Sequence, residues 1–137
     1  MQGITYWVIS DPTELERFIN SNVKSEWEKD NHDDGIDSKT DDWLMSLRKR
    51  EWRVKSIDIS RVQPDPLMIS NKKFAERLDK RSNELRRSIS GYHVVIWPII
   101  LRGEDQRLKD GYCRFTTLRK MGISRTLAYV GRLKTSY

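Results

Sequence analysis

The stretch that decides the fold reads LKDGYCRFTTL, from Leu108 to Leu118. A short strand from Gln106 to Lys109 is predicted to run through Asp110 and Gly111 directly into a helix. Glycine at such a junction lets the backbone approach a ligand closely, and the first N–H groups of the helix have no partner within it. These amides and the positive end of the helix dipole attract anions, and Arg114 in the first turn can pair with a phosphate. The junction therefore predicts an anion-binding site.

The composition limits the class of protein. The chain has 137 residues, which is the size of one domain. Of these residues 36% are apolar and 34% are charged, a composition too apolar for a disordered chain. The longest apolar stretch, Val94 to Leu101, is interrupted by Pro98 and is much shorter than the roughly 20 residues of a membrane span. No signal-peptide pattern opens the chain, and Cys113 is the only cysteine, which excludes an intramolecular disulfide. We expect a cytoplasmic protein without a membrane partner.

Charge is distributed unevenly along the chain. Residues 1–42 carry four basic and eleven acidic side chains, a net −7, whereas residues 43–137 carry twenty-two basic and nine acidic ones, a net +13. A basic region of this kind predicts an anionic partner, either a nucleotide or a nucleic acid. The alternative is a solvated basic surface against which the acidic segment folds, and charge leaves both interpretations open.

The chain is predicted to consist of an N-terminal helical extension, residues 1–52, and a domain, residues 53–137. The first helix of the extension begins at Pro12 with Asp11 as its N-cap, and an acidic linker of about residues 28–42 follows it. The extension contains four of the five tryptophans: Trp7, Trp27, Trp43 and Trp52. Buried structural anchors are the first interpretation of these side chains. The alternatives are base-stacking platforms or a surface for a homodimer or another protein partner.

Strands and helices are predicted to alternate in the domain, which gives an α+β fold. The predicted elements are a strand over 53–62, a helix from 70 or 71 to about 90, a strand over 94–101, the short strand and helix of the junction, and a strand over 126–130. One flank of the long helix carries four basic residues: Lys73, Arg77, Lys80 and Arg87. These residues are either contacts for nucleic-acid phosphates or a solvated surface.

Residues 53–131 resemble the superfamily of the ParB N-terminal domain and sulfiredoxin. The resemblance rests on three motifs that read DGYCR from Asp110, LRKMG from Leu118 and AYV from Ala128. Three looser matches lie upstream, at Ile57 to Pro64, Leu85 to Ile89 and Pro98 to Arg102. The resemblance implies an α+β fold with a small mixed sheet and packed helices, preceded here by the helical extension.

This resemblance also implies that the junction binds the phosphates of a nucleoside di- or triphosphate with Mg²⁺. The superfamily includes CTP-dependent partition proteins, sulfiredoxins, free-serine kinases and proteins described as ParB-like nucleases. The sulfiredoxin nucleophile corresponds to Tyr112, so sulfiredoxin chemistry is not expected. No helix-turn-helix domain follows before Tyr137, so sequence-specific DNA binding by this polypeptide alone is not expected. The proline turn of this sequence is residues 63–66, which read QPDP. The serine kinases carry a glutamate near the corresponding turn, where this sequence has Asp65.

The residues of the junction then receive expected roles. Gly111 is expected to let the phosphate approach the backbone closely. The amides of the next three residues, Tyr112, Cys113 and Arg114, are expected to bind the phosphate. The Arg114 guanidinium would neutralise its charge, and Thr117 would add a hydroxyl group. Asp110 holds Mg²⁺, acts as the catalytic base, or caps the helix; no other metal site is expected. Two functions remain open. The first is nucleotide binding, with phosphotransfer or hydrolysis, and the second is non-catalytic DNA binding through the basic flank of the long helix, as in an accessory partition or regulatory protein.

Overall fold

The computed structural model describes residues 4–134. Contacts divide the chain into two compact units. The core unit comprises Met1–Val8 and Val54–Val130, and the helical unit comprises Ile9–Arg53 and Gly131–Tyr137.

Strand pairing and backbone contacts, more than sequence order, determine which unit each end of the chain belongs to. The predicted boundary between residues 52 and 53 lies one residue from a point where the chain passes between the units. Strand β1 (Ile4–Tyr6), however, belongs to the core unit because it pairs in parallel with Val94–Ile96. At the other end, the Lys134 amide donates to the carbonyl of Lys49 at 2.8 Å, within the helical unit.

The helical unit opens with three consecutive helical segments. Helix α1 (Pro12–Phe18) passes through a π-helical segment (Ile19–Val23) into α2 (Lys24–Asp33). Asp11 caps α1 as predicted, since its Oδ1 accepts from the Thr13 amide at 2.8 Å.

The acidic segment predicted as a linker over about residues 28–42 is partly helical. Helix α2 continues through its acidic residues to Asp33, because exposed carboxylates do not interrupt a helix, and the chain turns at Gly35 with φ of +73°. A 3₁₀ turn and α3 (Asp42–Ser46) follow. The Asn31 amide donates to the Asp41 carboxylate at 3.0 Å and ties the end of this segment back to α2.

Tryptophans form part of the core of the helical unit. Trp43 and Trp52 are 6% and 1% exposed, and their rings meet edge to face with centroids 5.9 Å apart. Trp27 contacts Trp43 in the same way at 5.6 Å. The buried Arg50 lies over the Trp43 ring and donates to the Gly131 carbonyl at 2.8 Å. The interpretation as structural anchors is therefore confirmed for Trp43 and Trp52.

The strands form two small sheets. In the first, β1 pairs in parallel with β3 (Val94–Ile96). The second contains β2 (Arg50–Asp58), β4 (Ile99–Arg102), β5 (Arg107–Asp110) and β6 (Arg125–Leu133). Its strand order is β2-β6-β4-β5, and β4 and β5 are antiparallel. These sheets and their packed helices confirm the predicted α+β class.

The single strand predicted over 94–101 is wrong, because the chain breaks it at Trp97 and Pro98. Its two parts, β3 and β4, belong to different sheets. Proline has no N–H to donate to a strand ladder and restricts the residue before it, so a strand in two sheets breaks naturally at this dipeptide.

Three helices complete the core unit. They are α4 (Pro66–Ile69), α5 (Lys72–Gly91) and α6 (Tyr112–Lys120). Asn71 caps α5, which matches the prediction, because its Oδ1 accepts from the Phe74 amide at 3.0 Å. Helices α5 and α6 pack together and contribute Ile89, Phe115 and Leu118 to a core shared with the strands. Within residues 4–134, no helix is both long and apolar enough to cross a membrane.

Candidate functional site

The junction between β5 and α6 has the predicted strand–glycine–helix geometry. Gly111 is the N-cap of α6 in the left-handed conformation, with φ of +97°, and no side chain caps the helix there. A Cβ at this position would lie 2.8 Å from Ile99 Cγ2 and 2.9 Å from Arg114 Nη2. Glycine is therefore required here both by the backbone angle and by close packing. The first amides of α6 have no partner within the helix.

The Arg114 guanidinium lies across this junction and is bound to the protein. Its Nη1 donates to the carbonyls of Trp97 and Pro98 at 2.8 and 2.9 Å, and its Nη2 donates to Asp110 Oδ2 at 3.2 Å. The side chain is only 20% exposed. Arg114 thus holds the break between β3 and β4 in place, a role that sequence reasoning missed because its partners lie 16 and 17 residues away.

Asp110 has a different role from the predicted cap. The N-cap position of α6 belongs to Gly111, and the Asp110 carboxylate pairs with Arg114 instead. The side chain remains 44% exposed, so solvent and cations can reach it. Within residues 4–134, no group of three or more His, Cys, Asp or Glu side chains could hold a metal ion. A Mg²⁺ ion at Asp110 would therefore need water and phosphate oxygens as its other ligands.

Tyr112 connects the junction to the proline turn upstream. Its hydroxyl donates to the Leu108 carbonyl at 3.1 Å and accepts from the Asp65 amide at 3.0 Å. Its ring meets Phe74 edge to face, with centroids 5.4 Å apart. Burial raises the pKa of the Tyr112 phenol, so the group stays protonated. The tyrosine side chain is a structural link, while its backbone amide remains at the junction.

Cys113 lies in the first turn of α6, and Thr117 lies one turn further along the helix. Cys113 is half-buried. Thr117 is fully buried, and its hydroxyl donates to the Cys113 carbonyl at 2.7 Å and lies 3.3 Å from the Ser82 carbonyl of α5. The expected phosphate contact of Thr117 is therefore corrected: position 117 faces α5, and its hydroxyl serves the packing of the two helices.

An ionic cluster on the β4–β5 hairpin was not predicted. Asp105 accepts two hydrogen bonds from Arg102, at 3.0 and 2.6 Å. The Arg102 hydrogen bond is the main reason that the pKa of Asp105 falls to about 2. Arg107 lies 3.9 Å from both Asp105 and Asp65. Gln106 adopts a positive φ of 59° in this turn. The cluster thus fixes the hairpin to the proline turn.

The basic flank of α5 faces solvent, as the helical spacing predicts. Its four members are exposed, and none forms an ion pair within the part of the chain that the structure describes: Lys73, Arg77, Lys80 and Arg87. The helix carries seven basic and three acidic residues, and one of the acids, Asp79, is paired with Lys120 of α6 at 2.8 Å. The flank therefore presents a positive surface about 21 Å long, from Lys73 to Arg87.

The chain is similar in structure to solved ParB N-domains. One, described as the pNOB8-like ParB N-domain, is 19% identical with a TM-score of 0.44, and the match covers 62% of this chain and 29% of that one. A second Pnob8-like ParB-N domain is 16% identical with a TM-score of 0.45, covering 62% and 31%. This chain thus spans less than a third of either protein. No family model and no curated protein matches the sequence.

Proposed function

We propose that the chain binds the phosphates of a nucleoside di- or triphosphate at the junction of β5 and α6. One observation carries the proposal: the Arg114 guanidinium lies beside a helix N-terminus that begins at Gly111 and has no side-chain cap. Free amides, a helix dipole and a guanidinium are the groups that bind phosphate at such positions.

An incoming phosphate has a competitor at this site. Asp110 Oδ2 already accepts from Arg114 Nη2 at 3.2 Å, so a phosphate that binds Nη2 competes with this carboxylate for the guanidinium. Because the Asp110 side chain is 44% exposed, water stabilises the carboxylate after the exchange, and the ion pair that is lost contributes at most about 1 kcal/mol. The released carboxylate is the group that would hold a Mg²⁺ ion accompanying the nucleotide.

The experiment compares the wild-type chain with Asp110→Asn and Arg114→Ala. Calorimetry measures binding of ADP, ATP, CTP and GTP, with and without Mg²⁺. Arg114→Ala should weaken binding by about 10- to 150-fold, because a charge-assisted hydrogen bond contributes about 1.5–3 kcal/mol. Without Mg²⁺, Asp110→Asn should strengthen binding up to about 5-fold by removing the competitor. Equal nucleotide affinity in wild type and Arg114→Ala would contradict the proposal.

The same samples test for a reaction. If Asp110 acts as a base, Asp110→Asn should abolish phosphate release while nucleotide remains bound. Unchanged release in this variant would assign Asp110 to binding alone.

Nucleic-acid binding along α5 is the second candidate function. The observation that favours it is the set of four exposed cations without ion pairs described above, on a helix with a net charge of +4. Contacts of this kind follow the phosphate backbone and carry no base information. We expect sequence-tolerant binding that weakens with salt, with a log–log slope of roughly −0.9 for each duplex phosphate neutralised.

Charge reversal tests this second candidate. Arg77→Glu with Lys80→Glu should weaken binding of duplex and single-stranded DNA alike and leave nucleotide binding unchanged. The matched control reverses two exposed lysines of the helical unit, Lys29 and Lys39, and should have a smaller effect. If the wild-type chain binds no DNA at about 50 mM salt, where such contacts are strong, the flank is a solvated surface.

A further inference from the structure

The small β1–β3 sheet has one buried and one exposed face. Its register pairs Ile4 with Val94 and Tyr6 with Ile96, and these four side chains pack into or against the core. Side chains alternate along strands, so the neighbours of these residues point outward. Val95 is accordingly 57% exposed.

Two tryptophans extend this outward face. Trp7 and Trp97 follow the paired residues Tyr6 and Ile96, and the Trp7 amide donates to the Ile96 carbonyl at 2.9 Å. Their ring centroids lie 4.3 Å apart, and the planes are tilted by 52°. Trp7 is 50% exposed and Trp97 is 42% exposed. Neighbouring exposed aromatic rings form an apolar surface patch of the kind that often serves for binding.

The aromatic pair, Trp7 and Trp97, adjoins the proposed phosphate site. The carbonyl of Trp97 accepts from Arg114 Nη1 at 2.8 Å, and the next carbonyl, that of Pro98, accepts from the same nitrogen at 2.9 Å. The Arg114 guanidinium, which would bind the phosphate, thus also holds the backbone of Trp97 in place.

Charge indicates which kind of partner fits the aromatic pair. The core unit carries sixteen basic and eight acidic residues, a net +8. A second copy of the chain would bring like charges together, whereas a nucleotide brings negative charge and a flat π-system that stacks on tryptophan.

We propose that the base of the nucleotide stacks on the aromatic pair while its phosphates occupy the junction at Gly111. The inference rests on the proposed function and adds the base subsite. Stacking accepts any base, because every base has a π-face. The pair therefore contributes affinity for the nucleoside part with little preference among bases.

The experiment separates the base from the phosphates. Calorimetry measures binding of ATP, CTP and inorganic tripolyphosphate to the wild-type chain, Trp7→Ala, Trp97→Ala and Trp97→Phe. The control is Met45→Ala, which removes a 61% exposed apolar side chain in the helical unit. Thermal melting verifies that each variant is folded, and Trp97→Phe retains an aromatic ring if Trp97→Ala does not fold.

The two alanine variants should bind both nucleotides about 5- to 150-fold more weakly, the range for loss of one base–aromatic stack. Tripolyphosphate affinity should not change, Trp97→Phe should bind more tightly than Trp97→Ala, and Met45→Ala should resemble wild type. Unchanged nucleotide affinity in both alanine variants, with tripolyphosphate still bound, would overturn the base subsite and leave the phosphate site intact. Loss of tripolyphosphate binding in folded variants would also overturn it. A wild-type chain that binds none of the three ligands would overturn both proposals.

Discussion

Alanine at Gly111 should destabilise the core unit more than alanine at Gly122. Both glycines have a positive φ, +97° and +72°, and the left-handed conformation costs an L-residue about 1–2 kcal/mol. At Gly122 no atom of residues 4–134, apart from its neighbours in the chain, lies within 4 Å of the added Cβ, so this backbone term is the whole effect. At Gly111 the Cβ would lie 2.8 Å from Ile99 Cγ2 and 2.9 Å from Arg114 Nη2.

Neither neighbour of Gly111 can move freely. Ile99 is 1% exposed in the core, and forcing an extra methyl group into a packed core costs about 1–3 kcal/mol. Arg114 is held by the carbonyls of Trp97 and Pro98, so displacing it loses hydrogen bonds to a charged group. We therefore expect Gly111→Ala to lower the free energy of unfolding by about 2–5 kcal/mol, against about 1–2 kcal/mol for Gly122→Ala.

Urea unfolding of the full chain, followed by tryptophan fluorescence and far-ultraviolet circular dichroism, measures both variants. A double-mutant cycle with Arg114→Ala then isolates the contact with the guanidinium. Part of the cost of Gly111→Ala should disappear in the Arg114→Ala background, because one of the two clashing groups is gone. Equal costs at Gly111 and Gly122, or strictly additive costs for Gly111→Ala and Arg114→Ala, would refute the close packing of the guanidinium on the junction.

Two further variants test the surroundings of the site. Tyr112→Phe should lower the free energy of unfolding by about 1–3 kcal/mol, because the Asp65 amide and the Leu108 carbonyl both lose their partner; an unchanged urea midpoint would contradict the link. Asp105→Asn should lower the free energy of unfolding by up to about 1 kcal/mol at pH 7. The effect is small because Asp105 is 40% exposed, so solvent screens its pair with Arg102. Since the pKa of Asp105 is lowered from 3.8 to about 2, this stabilisation is present above about pH 4 and is lost as the pH falls through 2. The stability difference from wild type should therefore shrink over that interval, and a constant difference would show that the carboxylate charge is not its source.

Local chemistry in the sequence was sufficient to predict the helix starts and the junction. Asp11 and Asn71 cap their helices with their own side chains, and these interactions depend on residues two or three positions away. The junction at Gly111 also depends only on neighbouring residues, because the glycine lies directly between a strand and a helix. Such signals can be read directly from a sequence because both partners lie within one turn.

The features that the sequence did not predict depend on distant partners. Val94 to Leu101 is one apolar run, and only the pairing of β3 with β1 and of β4 with β5 shows that it is two strands. Thr117 lies on the same helix as the junction residues, yet its direction is set by packing against Ser82 of α5. Likewise, nothing in the spacing of Trp7 distinguishes it from the buried Trp43, because burial is a property of the folded chain.

Arg114 joins the stability of the fold to the proposed binding of phosphate. Its Nη1 holds the carbonyls of Trp97 and Pro98, and only its Nη2 contact with Asp110 is exchanged when phosphate enters. A phosphate that binds Nη2 leaves the strand break intact and gives up only the partly exposed ion pair with Asp110. A phosphate that takes the whole guanidinium must also leave two carbonyls without their donor, which lowers the net affinity by the stability lost at the break. Binding through Nη2 therefore keeps the strand break intact and avoids this loss of affinity.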